Sequence, residues 1–351
     1  MTEPAEIEPL PYTASDAEHA LGVGWQELLR SAYRWMVLGR SLDARMQALQ
    51  RQGRVGFYGA ATGHEAINVA AGLASQPTDW VFPGLREQLV ALVRGHSLTT
   101  YVHHLFADSK DPALGRNMPC HPTAREVHYV SMSSVIGTQI THAVGLGYGI
   151  RLRGEKAASL AWFGDGATSS NDFHAGMNFA GVFHLPVVFC CANNQWAISV
   201  PVERQTAAPS LASKASAYGF GGERVDGTDF IASFRQLSGA LAKARSGDGP
   251  SLVEFVVYRM TPHSSSDDPA RYQPGDWMVR AAAHDPVGRL GAWLTQEGLL
   301  SDTDRGRWET EVDREVRSAI DLAEQTPPPP ASSLTEDVYA SASYSRSVPG
   351  G

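Results

Sequence analysis

The chain has 351 residues and a formal net charge of −8 at pH 7, with 43% apolar and 19% charged residues. This composition predicts a globular protein with one large core, and no apolar run of 18 residues is present to span a bilayer, so we expect no membrane partner. The negative charge argues against a nucleic-acid partner.

The two ends of the chain differ in composition from the rest. Residues 1–20 are predicted to form a polar N-terminal arm, which lacks the basic and apolar regions of a signal peptide, so we expect a cytoplasmic protein. Residues 326–351 are rich in Pro and Ser and are predicted to be a tail. A single domain is therefore predicted over residues 21–325. The three cysteines are expected to be free thiols, because they are odd in number and two of them adjoin in an apparent strand.

Helices and loops alternate through the first half of the domain. Apolar residues recur at helical spacing over residues 24–49, and a Gly-rich loop precedes a helix that begins at Glu65. Arg86 has a planar guanidinium that suits a bidentate phosphate contact, although an arginine is more often a surface charge. The polar residues 131–137 lead into a predicted helix over residues 138–153.

The most informative stretch is a predicted strand, helix and strand over residues 159–191. A Gly-Asp-Gly triplet centred on Asp165 follows the first strand, and an Asn pair ending at Asn194 follows the second. Both motifs lie at the carboxyl edge of the predicted sheet, where open α/β sheets bind ligands. The glycines let the backbone approach phosphate oxygens, the helix start that follows favours an anion, and Asp165 and Asn194 supply oxygens suited to Mg²⁺. Either motif alone is typical of a turn; together, with 26 residues between them, they predict a metal-bound diphosphate.

A second polar segment follows the last predicted strand. Residues 227–246 are predicted to be a helix and residues 251–258 a buried strand, which leads into a loop rich in Ser, Pro and Asp. His263 lies in this loop, a place suited to chemistry, although a lone loop histidine is more often solvated. Helices are predicted over residues 285–324. The fold class predicted is α/β, a doubly wound, mostly parallel sheet with helices on both faces, plus C-terminal helices.

The paired motifs resemble the thiamine diphosphate signature. Residues 40–272 resemble the α subunit of the E1 component of 2-oxo acid dehydrogenase complexes, and the loop that begins at His263 matches the HSxSDD pattern of branched-chain members. The resemblance implies thiamine diphosphate-dependent oxidative decarboxylation of 2-oxo acids, with acyl transfer to the lipoyl group of E2. It implies an E1 β subunit in an α₂β₂ heterotetramer, the E2 lipoyl acyltransferase as a further partner, and a small-molecule 2-oxo acid as substrate. The chain is too short to hold the β-type domain, so we expect it to be half of an active site.

The resemblance also assigns site residues. Those implied to bind the cofactor are Arg86, Ser134, Ile136, Gly164, Asp165, Gly166, Ala167, Asn194 and His263. Those implied to hold Mg²⁺ are Asp165, Asn194 and, through its backbone carbonyl, Trp196. Those implied to hold a structural K⁺ are Ser133, Val135, Thr138 and Gln139, whose alternative interpretation is a helix N-cap and its flank. His263 is implied to be catalytic, because it would position substrate or cofactor and serve proton transfer.

Three residues depart from the family pattern. Leu85 replaces a Tyr that helps to hold the diphosphate, and Ala192 replaces a phosphate-binding Arg of some branched-chain members. Gln273 replaces an Arg in the network that orders the His263 loop. The remaining members of that network are Arg259, Asp267 and Tyr272. These departures favour one alternative, a cofactor-free scaffold paralogue. A pyruvate or acetoin dehydrogenase E1 α subunit is a second alternative, and a nicotinamide oxidoreductase is disfavoured because no GxGxxG fingerprint is present.

Overall fold

The computed structural model describes residues 7–336, which form helices around a parallel sheet. The helices are α1 (Ala14–Leu21), α2 (Trp25–Arg51), α3 (Glu65–Ala74), α4 (Gln88–Val93), α5 (Leu98–Phe106), α6 (Thr138–Arg153), α7 (Asn171–Val182), α8 (Phe230–Ser246), α9 (Trp277–Ala283), α10 (Pro286–Gln296) and α11 (Asp302–Glu324). The strands are β1 (Trp80–Phe82), β2 (Ser159–Gly164), β3 (Val187–Asn193), β4 (Trp196–Ala197), β5 (Val200–Pro201), β6 (Gly222–Asp226) and β7 (Ser251–Val256). Among the described helices, none combines the length and apolar character needed to cross a bilayer.

The main sheet has five parallel strands in the order β1-β2-β3-β7-β6, and β4 pairs separately with β5. Successive side chains of a strand point to opposite faces, so each buried strand feeds two cores. Trp162 and Cys190 pack in one core with α2, α3, α8, α10 and α11, whereas Phe163 and Cys191 pack in the other with α6 and α7. The predicted doubly wound α/β fold is confirmed. The alternation also explains why the adjacent cysteines are free and buried.

The described part of the predicted arm contains a helix. Thr13 caps α1 by accepting from the Asp16 amide, while the Asp16 carboxylate accepts from the Thr13 amide. Ala17 of this helix is fully buried. In the predicted tail, residues 331–335 form a 3₁₀ turn in which Ser333 is buried. Residues 1–6 and 337–351, the remaining parts of the arm and tail, lie outside the described residues.

The parallel strands bring four loops to one edge of the sheet. β1, β2, β3 and β7 all end there, because parallel strands share a direction. The Gly-Asp-Gly triplet leads into a 3₁₀ turn over Asp165–Ser169. The α-helix α7 begins later, at Asn171, where the Ser170 hydroxyl accepts from the Phe173 amide at 3.2 Å. This edge positions the candidate site.

Candidate active site

A cavity of about 460 Å³ opens at the carboxyl edge of the sheet. Its wall contains every residue that the sequence assigned to the cofactor: Arg86, Ser134, Ile136, Gly164, Asp165, Gly166, Ala167, Asn194 and His263. Trp196, Ser133 and Gln139 also line it, whereas Val135 and Thr138 do not. Residues from four loops and from the start of α6 therefore meet around one space.

The two glycines of the triplet differ in what lies where a side chain would be. A Cβ built on Gly164 would meet no protein atom within 4 Å, and Gly164 lines the cavity. A Cβ on Gly166 would lie 2.8 Å from the Cβ of Ala197, which is too close. Gly164 therefore leaves room for a ligand beside the backbone, whereas Gly166 leaves room for the chain itself.

Asp165 is a buried carboxylate with little compensation from the protein. Its side chain is 1% exposed, and its Oδ2 accepts from Gln205 Nε2 at 2.5 Å. Burial raises the pKa of this carboxyl, while Gln205 and the more distant Arg259 oppose the rise. A buried anion of this kind fits a bound cation, because a divalent ion would offset the cost of burying the charge.

The two asparagines of the pair have different roles, one in the sheet and one in the cavity wall. Asn193 Nδ2 donates to Glu254 Oε1 at 2.8 Å on the neighbouring strand β7, so this side chain is part of the sheet. Asn194 lines the cavity, and its Oδ1 accepts from the Trp196 amide at 3.2 Å. The Trp196 carbonyl, assigned to Mg²⁺, accepts from Arg259 Nη1 at 3.3 Å. The structure thus separates a structural asparagine from a cavity asparagine.

The assigned Mg²⁺ ligands fit a metal that shares its coordination with a ligand. Within residues 7–336, no group of three or more His, Cys, Asp or Glu side chains is arranged to hold a metal. The assigned set is of another kind, since Asp165 is its only carboxyl group. Mg²⁺ is commonly bound by one or two carboxylates with phosphate oxygens and water completing the octahedron. The oxygens present suit such a shared site.

Arg86 is held at the cavity wall by backbone acceptors. It is 4% exposed, its Nη1 donates to the Ala60 carbonyl, and its Nη2 donates to the His263 carbonyl at 2.7 Å. The Asn68 side chain in turn donates to the Arg86 carbonyl at 2.6 Å. Burial, with Arg259 second, lowers the pKa of Arg86 to about 10, so the guanidinium stays charged at neutral pH. The site therefore keeps a fixed positive charge.

His263 is a neutral, half-buried imidazole in this wall. Its Nδ1 lies 3.3 Å from Arg86 Nη2, and because a guanidinium can only donate, Nδ1 accepts and the ring proton is on Nε2. Burial lowers the pKa of His263 to about 4, with Arg86 and Arg259 adding to the effect. At neutral pH the residue is a hydrogen-bond donor without charge.

The predicted network around the His263 loop is present in the structure. The His263 amide donates to Asp267 Oδ2 at 2.8 Å, and the Tyr272 hydroxyl donates to the same oxygen at 2.5 Å. Arg259 Nη2 donates to the Tyr272 hydroxyl at 2.7 Å. Gln273, the departure from the family pattern, leaves its Nε2 without a partner. Three residues therefore hold the loop, and Gln273 Nε2 adds no bond.

The other two departures also lie at the cavity. Leu85 lines the wall and packs closely on Gly59, where a Cβ would meet its Cγ at 3.2 Å. Ala192 is 3% exposed and lines the wall at the end of β3. Both side chains are apolar, so a diphosphate in the cavity would gain no hydrogen bond from either.

The residues assigned to K⁺ do not cap α6. The N-cap position is Gly137, which receives no side-chain capping bond, so these four residues flank the start of the helix without capping it. The Val135 carbonyl accepts from the Thr138 amide at 3.4 Å. Gln139 Nε2 donates to the Trp162 carbonyl at 2.9 Å, and its buried Oε1 has no partner. That unpaired oxygen suits a cation.

His64 is a cavity residue that sequence reasoning missed. It lines the wall, is 1% exposed and precedes α3 directly. The pattern around Glu65 pointed to a loop and a helix start, and nothing local distinguishes His64 from an ordinary cap residue. Its side chain makes no capping bond.

Comparison with known proteins now identifies the family. The family model described as "Dehydrogenase E1 component" matches residues 33–332. The chain is 44% identical over 276 residues to the 3-methyl-2-oxobutanoate dehydrogenase subunit alpha of Mycobacterium tuberculosis, covering 79% of this chain and 73% of that one. It is 37% identical to the 2-oxoisovalerate dehydrogenase subunit alpha of Bacillus subtilis, covering 93% and 99%. It is also 37% identical to the pyruvate dehydrogenase E1 component subunit alpha of Bacillus cereus, covering 90% and 83%. The chain belongs to the dehydrogenase E1 component family.

Proposed function

We propose that this chain is the α subunit of a branched-chain 2-oxo acid dehydrogenase E1. In this role it takes part in thiamine diphosphate-dependent oxidative decarboxylation of 2-oxo acids and acyl transfer to the lipoyl group of E2. The family is thiamine diphosphate-dependent, and two of the relatives above are named for branched-chain 2-oxo acids. The observation that carries the proposal is the meeting of Arg86, Asp165, Asn194 and His263 at one cavity.

The cavity residues divide the binding of the cofactor between them. Asp165, Asn194 and the Trp196 carbonyl would hold Mg²⁺, and Arg86 would contact the phosphate oxygens. The open space beside Gly164 lets the backbone approach the diphosphate. When bound, thiamine diphosphate supplies the carbanion that attacks the 2-oxo carbon and the electron sink for loss of CO₂.

His263 supports the chemistry as a neutral donor. Because its Nδ1 is occupied by Arg86, its Nε2–H is the atom available to substrate or cofactor. Because its pKa is about 4, the ring is uncharged at neutral pH, so Arg86 is the group of this pair that provides positive charge to an anionic ligand. It positions a ligand oxygen and holds a proton at Nε2 for transfer.

The second half of the site belongs to a partner. We propose an E1 β subunit in an α₂β₂ heterotetramer and an E2 lipoyl acyltransferase as acyl acceptor. Ile136, which lines the cavity, and its neighbour Val135 are 64% and 67% exposed, and Phe179 and Val182 of α7 are also exposed. Exposed apolar groups of this size favour coverage by another chain.

We also propose K⁺ as a structural ion near the start of α6, because the buried Gln139 Oε1 has no hydrogen-bond partner. The test is to replace K⁺ with choline in the buffer and to measure the melting temperature, which we expect to fall.

Reconstitution tests the proposal. The chain would be co-expressed with a β-type subunit, its mass measured, and decarboxylation assayed with 3-methyl-2-oxobutanoate and with pyruvate. We expect activity only in the complex, together with Mg²⁺ and thiamine diphosphate, and a higher kcat/KM for the branched substrate. A preference for pyruvate would favour the alternative to which the Bacillus cereus relative points. A complex that binds no thiamine diphosphate would favour the cofactor-free scaffold.

A further inference from the structure

His64 is a buried histidine whose side chain has no hydrogen-bond partner. Neither Nδ1 nor Nε2 is paired, although the ring is 1% exposed. Its backbone is satisfied, because its amide donates to the Ala61 carbonyl at 2.8 Å and its carbonyl accepts from the Asn68 amide at 3.2 Å. Buried polar groups without partners are rare and destabilise a fold, so this imidazole requires an explanation.

The surroundings of His64 suit an anion. Burial, followed by the charges of Arg86 and Arg259, holds the pKa of His64 well below its ordinary value. The ring is therefore neutral and offers one N–H donor and one acceptor nitrogen. It also stands at the amino end of the ten-residue helix α3, which carries a partial positive charge. Near the charges of Arg86 and Arg259, a neutral imidazole adds a hydrogen-bond donor without adding repulsion.

Arg86, whose charge acts on His64, and Glu65, its neighbour in sequence, both have partners of their own. Arg86 donates to the Ala60 and His263 carbonyls. Glu65 accepts from Arg40 at 2.6 Å and from the Gly63 amide at 2.7 Å. In the structure neither ring nitrogen of His64 bonds to either of these groups. The missing partner therefore comes from outside the chain.

We propose that His64 is a further binding residue of the diphosphate subsite, donating its imidazole N–H to a phosphate oxygen when thiamine diphosphate occupies the cavity. His64 forms part of the same wall as Arg86, Asp165 and Gly164. The inference rests on the proposed function, because it assigns one more residue of this chain to the cofactor of that reaction.

The substitution His64→Leu separates binding from folding. In the assembled complex we expect the affinity for thiamine diphosphate with Mg²⁺, measured by calorimetry, to fall roughly 10- to 100-fold, the range for a hydrogen bond to a charged group. We expect the melting temperature of the cofactor-free complex to stay the same or rise, because an apolar side chain of similar size removes the unpaired nitrogens. A merely structural histidine would change both quantities in the unfavourable direction.

Matched variants make the test specific. His64→Gln keeps an N–H donor and should recover most of the affinity. Ser233→Ala removes a hydroxyl in α8 that is also buried and unpaired, but away from the cavity, and should leave the affinity unchanged. Inorganic pyrophosphate with Mg²⁺ should lose affinity in His64→Leu as thiamine diphosphate does, whereas thiamine should not.

Two results would overturn the inference. If His64→Leu binds thiamine diphosphate as tightly as the unmodified complex, the imidazole makes no contact with the diphosphate. If the variant melts at a lower temperature without cofactor, a buried water is the missing partner and His64 is structural. If the unmodified complex itself fails to bind thiamine diphosphate, the proposed function fails together with this inference. Failure of the inference alone is recognised by an unmodified complex that binds the cofactor normally.

Discussion

Replacing either glycine beside Asp165 with alanine should have opposite effects on stability at the two positions. Gly164→Ala adds a methyl group where no protein atom lies within 4 Å, and the φ of −84° at this position suits any residue. Gly166→Ala places a Cβ 2.8 Å from the Cβ of Ala197, about 1 Å closer than an ordinary carbon contact. We expect Gly164→Ala to keep or raise the free energy of unfolding by about 0.4–1 kcal/mol. We expect Gly166→Ala to lower it by about 1–3 kcal/mol.

Both variants should bind thiamine diphosphate more weakly, for different reasons. The methyl group at position 164 occupies space beside the backbone that the diphosphate needs, whereas the methyl group at position 166 displaces the turn that carries Asp165. Losing one or two hydrogen bonds to a charged ligand costs about 3 kcal/mol, or roughly 100-fold in affinity. Scanning calorimetry of the cofactor-free complex and titration calorimetry with Mg²⁺ and thiamine diphosphate measure the two effects. If Gly164→Ala melts as low as Gly166→Ala, or binds the cofactor normally, the ligand does not lie against Gly164.

Three further predictions concern single side chains. Asp165→Asn removes a buried charge while keeping its shape, so the cofactor-free complex should melt no lower, and Mg²⁺ affinity by calorimetry should fall more than about 100-fold. His263 should titrate near pH 4 in the cofactor-free protein. Because the imidazole of the unfolded chain takes up a proton at about pH 6.5, before the folded one does, the free energy of unfolding should fall as the pH is lowered from about 6.5 to about 4. A titration midpoint near 6.5, measured by NMR, would contradict the assignment of His263 as a neutral donor. Asp79→Ala removes a fully buried carboxylate, just before β1, that pairs with the partly buried Arg245, and it should cost about 3–5 kcal/mol in urea unfolding, with cofactor affinity unchanged.

Sequence patterns located the elements whose signals are local. The helix predicted over residues 138–153 is α6, and the buried strand predicted from residue 159 is β2. Both have continuous apolar or periodic runs with glycine at an end. Helix α1 had a local signal as well, the capping box of Thr13 and Asp16, but its short length and polar composition favoured an arm.

The parts of the site that the sequence did not predict depend on contacts between distant residues. Arg86 and His263 are separated by 177 positions, and their hydrogen bond fixes the tautomer of the imidazole. The isolation of the His64 nitrogens is likewise a property of the folded wall. Asn193 is the last residue of β3 and Asn194 follows the strand, so their different roles depend on where β3 ends and on the partner Glu254, 61 residues away on β7.

Tyr272 is the residue on which the order of the His263 loop depends most directly. Its hydroxyl accepts from Arg259 Nη2 at 2.7 Å and donates to Asp267 Oδ2 at 2.5 Å, and Asp267 in turn accepts from the His263 amide. Burial, aided by Asp267, raises the pKa of Tyr272 to about 12, so the hydroxyl stays protonated and keeps both bonds at neutral pH. Gln273 Nε2 has no hydrogen-bond partner, so it does not help to hold the loop.

Tyr272→Phe should therefore loosen the loop without unfolding the domain. The ring keeps its contact with Trp196, at 5.5 Å between centroids, while a buried guanidinium loses an acceptor, which costs about 1–3 kcal/mol. Hydrogen exchange at the amides of His263 and Asp267 should become roughly 5- to 150-fold faster, because local opening is favoured by that amount. Tyr218→Phe, whose hydroxyl bonds to the exposed His174, is the matched control and should leave these amides unchanged. Unchanged exchange in Tyr272→Phe would mean that the Arg86 contact alone orders the loop.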